Sequence, residues 1–209
     1  MPDDKLIPLD IKCYKPLKAQ DLRFVDTPQP FKLLNEFTDK KLFDIIKESC
    51  EVLDEFFLGH WLASGTALGL YRDDRFIPHD TDIDLGVLCF EGFNYSELIE
   101  HFSIDGFVLH RQLFHEGEVM QLAFVKDFVL VDFYFYYSWT EAYFVNCNDS
   151  GRCFLPKRFF DGVTKLGGYR VPSPVAEYLR YNYGESWNIP EDGKGVWQEN
   201  CPCQIGYDV

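Results

Sequence analysis

Positive charge is scarce in this chain. Its 209 residues carry 20 Lys and Arg against 34 Asp and Glu, a net charge of −14. A surface of that sign repels polymeric nucleic acid and anionic membranes, which removes both as expected partners. A small nucleotide accompanied by Mg²⁺ stays compatible, because the cation neutralises charge locally. Long apolar runs are missing too: none reaches the roughly 18 uncharged residues of a membrane helix. The start, MPDDKLIPLDIK, has neither a basic patch nor an apolar stretch, so a cytoplasmic setting without a secretory leader is expected. No CxxC pair occurs. The seven Cys, at 13, 50, 89, 147, 153, 201 and 203, are odd in number and scattered. Cys201 and Cys203 stand too close for a usual zinc pair, and reduced thiols are expected. P-loop and GxSxG motifs are absent, and His60, His101, His110 and His115 are dispersed without metal-ligand spacing.

What is present describes one globular domain. Hydrophobic residues make up 46% and charged residues 26%, outside the range of disordered chains. The 20 Phe and 12 Tyr fit an aromatic core, with a few rings left over to line a cleft for a base or sugar. Residues 1–34, broken by Pro2, Pro8, Pro16, Pro28 and Pro30, lack a period. They are expected as an extension of loops and short strands packed on a domain spanning 35–209. Leu42, Ile45, Ile46, Cys50, Leu53, Phe56 and Phe57 recur at helical spacing, which predicts a helix over 39–58 capped by Thr38 and stopped by Gly59. A short strand at 61–64, a short helix at 66–73, a strand at 82–90 and a helix at 95–102 follow. Three β-rich runs come next, at 107–113, 119–125 and 128–136, punctuated by Glu116-Gly117 and Lys126-Asp127. A strand at 143–146, a helix at 174–183 stopped by Gly184, and a loop-like tail after Pro190 complete the reading. Mixed elements with an antiparallel run in the middle predict an α+β fold.

The chemistry is concentrated between His60 and Leu88. Residues two apart on a strand share a face, so Asp82 and Asp84 point the same way with Ile83 behind them. Two such carboxylates repel unless protonated or bridged by a cation, and hard oxygens suit Mg²⁺ or Mn²⁺. Alone, the pair is equally an exposed acidic strand end. Asp132 changes the balance. It interrupts FVLVDFYFYY, where a carboxylate is costly unless paired or metal-bound. A strand edge facing solvent is the alternative. Should its strand lie beside that of Asp82 and Asp84, the three carboxylates converge to hold one or two metals against phosphate oxygens. Upstream, Gly65 and Thr66 open a short helix, whose unpaired N–H groups suit an anion, and Ser64 or Thr66 adds a hydroxyl. Arg72 is placed to reach the same phosphates, or else to pair with Asp73 or Asp74. Asp80, Asp82, Asp84 and Glu91 mimic the spacing of a calcium EF-hand, but Leu85 stands where that loop needs glycine. His79 is read as an acid, a base, a phosphate contact or a hydrogen-bond partner of the carboxylates.

SGTALGLYRDDRFIPHDTDIDLGV resembles the signature of the LicD and fukutin-related family, with Gly65, Thr66, Leu68, Gly69, Arg72, Phe76, Ile77, Pro78, Asp80, Asp82, Ile83 and Asp84 matching it. Val131-Asp132-Phe133 is similar to the family's later strand. The run from Phe154 to Pro190 is similar to its Pro- and Gly-containing segment ending in Tyr-Gly and Trp. The likeness covers about residues 40–190. It implies a polymerase-beta-type nucleotidyltransferase fold, a mixed β-sheet with flanking helices. It implies a transferase that moves a phosphorylated alcohol, phosphocholine-like or alditol phosphate, from a CDP-linked donor to a sugar or glycan hydroxyl, as in modification of cell-surface glycans. Asp82 and Asp84 would hold Mg²⁺ or Mn²⁺, and Asp132 would complete the site as ligand or base. Ser64, Gly65, Thr66 and Arg72 would contact the donor, with Asp80, His79 and Arg75 as their neighbours. His79 replaces the family's usual Trp and Arg75 a common Gly. Two other readings are a nucleotidyltransferase acting on a small acceptor, and a non-catalytic nucleotide- or metal-binding module.

Overall fold

A computed structural model of the chain describes residues 22–115, 118–139, 142–147, 151–162, 164–190 and 204–205. The Glu116-Gly117 turn, most of the N-terminal extension and the Cys201 and Cys203 pair lie outside them. The architecture is α+β, built on a mixed sheet.

Helix α1, Asp39–Glu55, forms where the apolar spacing placed one. Thr38 caps it by accepting the Lys41 N–H through its side chain, satisfying an otherwise unpaired helix-start donor. Leu42, Ile45, Ile46, Val52 and Leu53 are buried, while Lys40–Asp44 and Lys47–Glu51 pair at i,i+4 on the outer face. The helix ends earlier than expected. Phe57 takes a left-handed φ of 55° and is 96% exposed, and Gly59 starts strand β2, Gly59–Leu62, instead of stopping the helix. Helix α2 likewise starts two residues early, Ser64–Arg72.

Strand β3, Asp82–Cys89, pairs antiparallel with β2 and parallel with β6, Val129–Trp139. Helix α3, Tyr95–Ile104, leads to β4, Val108–His115, then β5, Glu118–Lys126. β4, β5 and β6 form the expected antiparallel run. The β5–β6 turn is made by Asp127 and Phe128, both at left-handed φ, as a tight hairpin requires. β7, Ala142–Cys147, continues the sheet.

Five strands were not placed by the sequence, although short strands were expected within residues 1–34. β1, Leu22–Asp26, adds to the edge of β4. β8, Gly151–Pro156, pairs with β7 and with β11, Gln204–Ile205, inside the tail that was expected to be loop. β9, Thr164–Leu166, and β10, Tyr169–Val171, make a separate hairpin turning on Gly167 and Gly168. Such short strands carry too few residues for a period to show. Helix α4, Val175–Tyr183, ends at Gly184 with φ 80°.

The two faces of the sheet differ. Ile83, Leu85 and Val87 of β3 and Val131, Phe133 and Phe135 of β6 are fully buried in the main core. Phe102 of α3 packs there, with ring centroids 4.7 Å from Phe124 and 4.8 Å from Phe133. The alternate positions carry Asp82, Asp84 and Asp132. Cys50 and Cys89 are buried free thiols, pushed up to about 12 and about 11 chiefly by burial. The side chains of the other five Cys lie outside the described set. Among the described residues no helix is long and apolar enough to cross a membrane.

Candidate active site

The parallel pairing of β3 with β6 sets Asp84 directly opposite Asp132. In-register neighbours on adjacent strands face the same side, so the two carboxylates share one face with Asp82, two residues before Asp84. The three carboxylates that the sequence separates by up to fifty positions are thus brought together. Asp84 and Asp132 are buried.

The chain wraps Asp84 tightly. Its backbone N–H donates to Thr66 Oγ1 at 2.9 Å, its backbone oxygen accepts from Ala63 N–H at 3.1 Å, and its Oδ2 accepts from Gly65 N–H at 3.0 Å. The first turn of α2 is therefore locked to the middle carboxylate. Ser64 opens that turn at φ 40°, a left-handed conformation that serine adopts at a cost of about 1–3 kcal/mol. Gly65 is needed for closeness, since a Cβ there would stand 2.4 Å from Asp80 Oδ2. Asp80 is thus part of the cluster. Its Oδ1 accepts the Thr81 N–H at 3.1 Å, and Thr81 Oγ1 donates to Asp82 Oδ1 at the same distance.

Crowded, dehydrated carboxylates hold their protons. Burial, then Asp82, pushes Asp80 up to about 7. Asp84 is raised well above the carboxylate range, first by burial and then by Asp82, Asp80 and Asp132. Asp132 is raised to about 7 by burial and Asp82, with Arg111 pulling the other way.

The outer candidates are placed differently. The Arg72 guanidinium is committed to Asp73, with Nε at 3.0 Å and Nη2 at 2.8 Å from the same Oδ2, so it does not join the carboxylates. The two residues are chain neighbours, and an adjacent carboxylate competes for a fork with no entropy of search. His79 and Arg75 are exposed beside the segment that delivers Asp80.

Three residues escaped sequence reasoning. Arg111 Nη2 and Gln121 Nε2 donate to Asp132 Oδ2 at 2.9 Å and 2.7 Å. Gln121 is a polar residue inside the apolar strand VMQLAFV, the same signal that singled out Asp132. Tyr183 ends α4, which packs on α2 beside the carboxylates, and its phenol is raised by burial and then by Asp84, with Tyr178, Asp80 and Asp82 adding to it. Only folding brings it there.

Among the described residues no three His, Cys, Asp or Glu side chains stand close enough to enclose a metal ion as they are. The donor set is nonetheless of the right chemistry: hard oxygens under mutual repulsion, with Asp132 Oδ1 buried and unpartnered.

The human ribitol-5-phosphate transferase FKTN is 28% identical over 159 residues, covering 72% of this chain and 34% of its own length. The mouse FKTN is 26% identical over the same span. The chain thus spans about a third of the length of the curated relatives it matches. The solution structure of the antibiotic-resistance factor ANT(2'')-Ia aligns with 79% of this chain and 82% of its own, with a TM-score of 0.48 and 19% identity. The model of the LicD/FKTN/FKRP nucleotidyltransferase domain matches residues 58–175, which takes in β2, α2, β3 and Asp132 on β6, and this chain belongs to that family.

Proposed function

We propose that this chain is a metal-dependent phosphotransferase with a polymerase-beta-type nucleotidyltransferase fold. It moves a phosphorylated alcohol, an alditol or choline phosphate, from a CDP-linked donor to a hydroxyl of a sugar or glycan. The observation that carries this reading is the register of Asp84 opposite Asp132, with the first turn of α2 bonded to Asp84. Carboxylates and a helix start then face one small volume, as a phosphate-bearing donor requires. The FKTN relatives support the phosphoalcohol over other transferred groups.

In this reading an acceptor hydroxyl attacks the donor's β-phosphorus in line. The new O–P bond forms as the bond from that phosphorus to the bridging oxygen breaks, and CMP leaves with the electron pair. Asp132 takes the hydroxyl proton. Burial raises its affinity for protons, which suits a base. Thr66 Oγ1 accepts the Asp84 N–H and fixes the strand end, while Ser64 and the remaining N–H groups of the first turn orient the donor phosphates. Arg72 would have to leave Asp73 to take part. Mg²⁺ or Mn²⁺, held by Asp82 and Asp84, would neutralise charge on the phosphate oxygens.

The test uses CDP-ribitol and CDP-choline labelled either in the alcohol or in the base. Alcohol label on the acceptor, with CMP released, is the expected product. Base label on the acceptor would identify nucleotidyl transfer instead. D82N and D84N are expected to lose transfer while keeping the fold. Full activity in either would show the metal assignment to be wrong.

A further inference from the structure

Asp132 is held from one side only. Its Oδ2 accepts from Arg111 at 2.9 Å, from Gln121 at 2.7 Å and, at 3.5 Å, from the Tyr134 hydroxyl. Its Oδ1 is buried and has no partner among the described residues. Among the described residues the carboxylate has donors at one oxygen and none at the other, its remaining side-chain neighbour being the Asp82 carboxylate.

The sheet builds this asymmetry. Arg111 pairs with Ala123, Ala123 with Asp132, and Asp132 with Asp84, so the four residues form one row across β4, β5, β6 and β3. Arg111 must therefore cross a whole strand to reach Asp132, a span of roughly 10 Å at the usual strand spacing. Only a long side chain covers that distance, and only a small residue beneath it leaves a lane. Ala123 is that residue, and it is fully buried. Gln121 sits two positions earlier on β5, hence on the same face. It too is buried.

This arrangement is not the one stability alone would select. Besides Asp132 Oδ1, Arg111 Nε and Gln121 Oε1 are buried without partners among the described residues. Three unsatisfied polar atoms around one carboxylate are costly, and apolar side chains of similar size would pack here at no such penalty.

We infer that Arg111 and Gln121, reaching Asp132 across Ala123, are positioning residues that occupy Oδ2 and leave Oδ1 as the one oxygen offered to the reaction site. Asp132 then acts through a single oxygen, and position 123 must stay small. The inference rests on the reading that Asp132 belongs to the transfer site.

The test follows CMP release from CDP-ribitol and Mn²⁺ binding, read by electron paramagnetic resonance, in the full chain and in R111M, Q121L, A123V, D132N and R111M/D132N. R111M is expected to lower kcat about 100-fold at unchanged donor KM, the scale of a small misplacement of a reacting group. It should tighten Mn²⁺ binding, because a cation sharing the carboxylate is gone. R111M/D132N should be no slower than D132N, and A123V, which alters no charge, should lower kcat in the same direction. A double variant slower than D132N by the whole R111M factor would place Arg111's action elsewhere and overturn the clamp. So would loss of Mn²⁺ together with collapse of the fold in R111M, which marks a purely structural role. If the wild-type chain releases no CMP, the donor reading fails by itself. The clamp is then judged on Mn²⁺, where R111M must change binding in the wild-type background and not in D132N. Unfolding free energies of wild type, R111M, D132N and the double variant need neither donor nor metal. Their losses should be less than additive, and simple additivity overturns the clamp.

Discussion

Gly65 and Asp84 are joined by a backbone N–H that donates to Oδ2 at 3.0 Å, and a Cβ on Gly65 would lie 3.3 Å from that same oxygen and 2.4 Å from Asp80 Oδ2. The glycine is thus a matter of space more than of backbone freedom. Gly65→Ala should push Asp80 aside and loosen the contact with Asp84. We expect about a 100-fold loss of transfer, as for a displacement of about 1 Å at a reacting centre. The stability loss should be about 1–3 kcal/mol, the usual cost of overpacking. D80A added to G65A removes the clashing oxygen and should restore stability. Urea melts of wild type, G65A and G65A/D80A check this. No recovery in the double variant would mean that the clash is not with Asp80.

Asp84 is a case where function opposes stability. Burial and the charges of Asp82, Asp80 and Asp132 all disfavour its ionised form. Asp84→Asn keeps an oxygen to accept the Gly65 N–H while removing the repulsion. The metal-free variant should be more stable than metal-free wild type, by an amount of order 1 kcal/mol. Mg²⁺ at about 100 times its Kd should add about 2.7 kcal/mol to the wild-type chain and little to the variant. Thermal melts with and without Mg²⁺ measure both. A variant less stable than wild type without metal would show that the cluster is not under charge repulsion.

Local periodicity made the core helix, the antiparallel run and the shared face of Asp82 and Asp84 legible, because each depends on residues close in sequence. The parallel join of β3 to β6 was not legible, since nothing local to either strand specifies its partner. Asp132 could be flagged as out of place in an apolar strand, but its position opposite Asp84 follows only from that join. Arg111 and Gln121 stayed hidden for the same reason, although Gln121 carries the same mark as Asp132. Arg72 shows the opposite limit. Its spacing allowed either a phosphate contact or an ion pair, and the adjacent Asp73 takes it in the structure.

His110 gives the molecule a pH-sensitive fastening away from the carboxylates. Its Nδ1 accepts the Gln29 N–H at 3.0 Å, and its ring meets Phe31 edge-on at 5.5 Å. Burial lowers its pKa first, and the Arg111 charge lowers it further, against a smaller opposite pull from Asp26. A protonated ring can no longer accept that hydrogen bond. Because the folded value lies below the unfolded one, the stabilisation is complete above the unfolded pKa of about 6.5 and is lost as pH falls through the lowered one. Exchange of the Gln29 amide, corrected for its intrinsic rate, should therefore be better protected at pH 7.5 than at pH 5.5. His110→Phe should abolish that difference. Equal protection at the two pH values in the wild-type chain would rule the fastening out.

Gly69 lies within α2, where alanine would ordinarily be favoured by about 1 kcal/mol. Here a Cβ would stand 2.7 Å from the Arg75 backbone oxygen and 2.9 Å from Ile77 Cγ1. The first of these is backbone, and it cannot rotate away. The returning segment 75–77 packs that closely because Phe76 and Ile77 are buried, and it goes on to deliver Asp80 to the carboxylates. Overpacking of about 1–3 kcal/mol should outweigh the gain in helix propensity. Gly69→Ala is thus expected to lower the urea midpoint. It should also lower transfer activity under conditions where the chain is still folded, because Asp80 moves with the segment. A variant with a raised midpoint would show that propensity wins and that residues 75–77 can move off the helix. A lowered midpoint with unchanged activity would separate that packing from the site and remove Asp80 from the groups that matter for transfer.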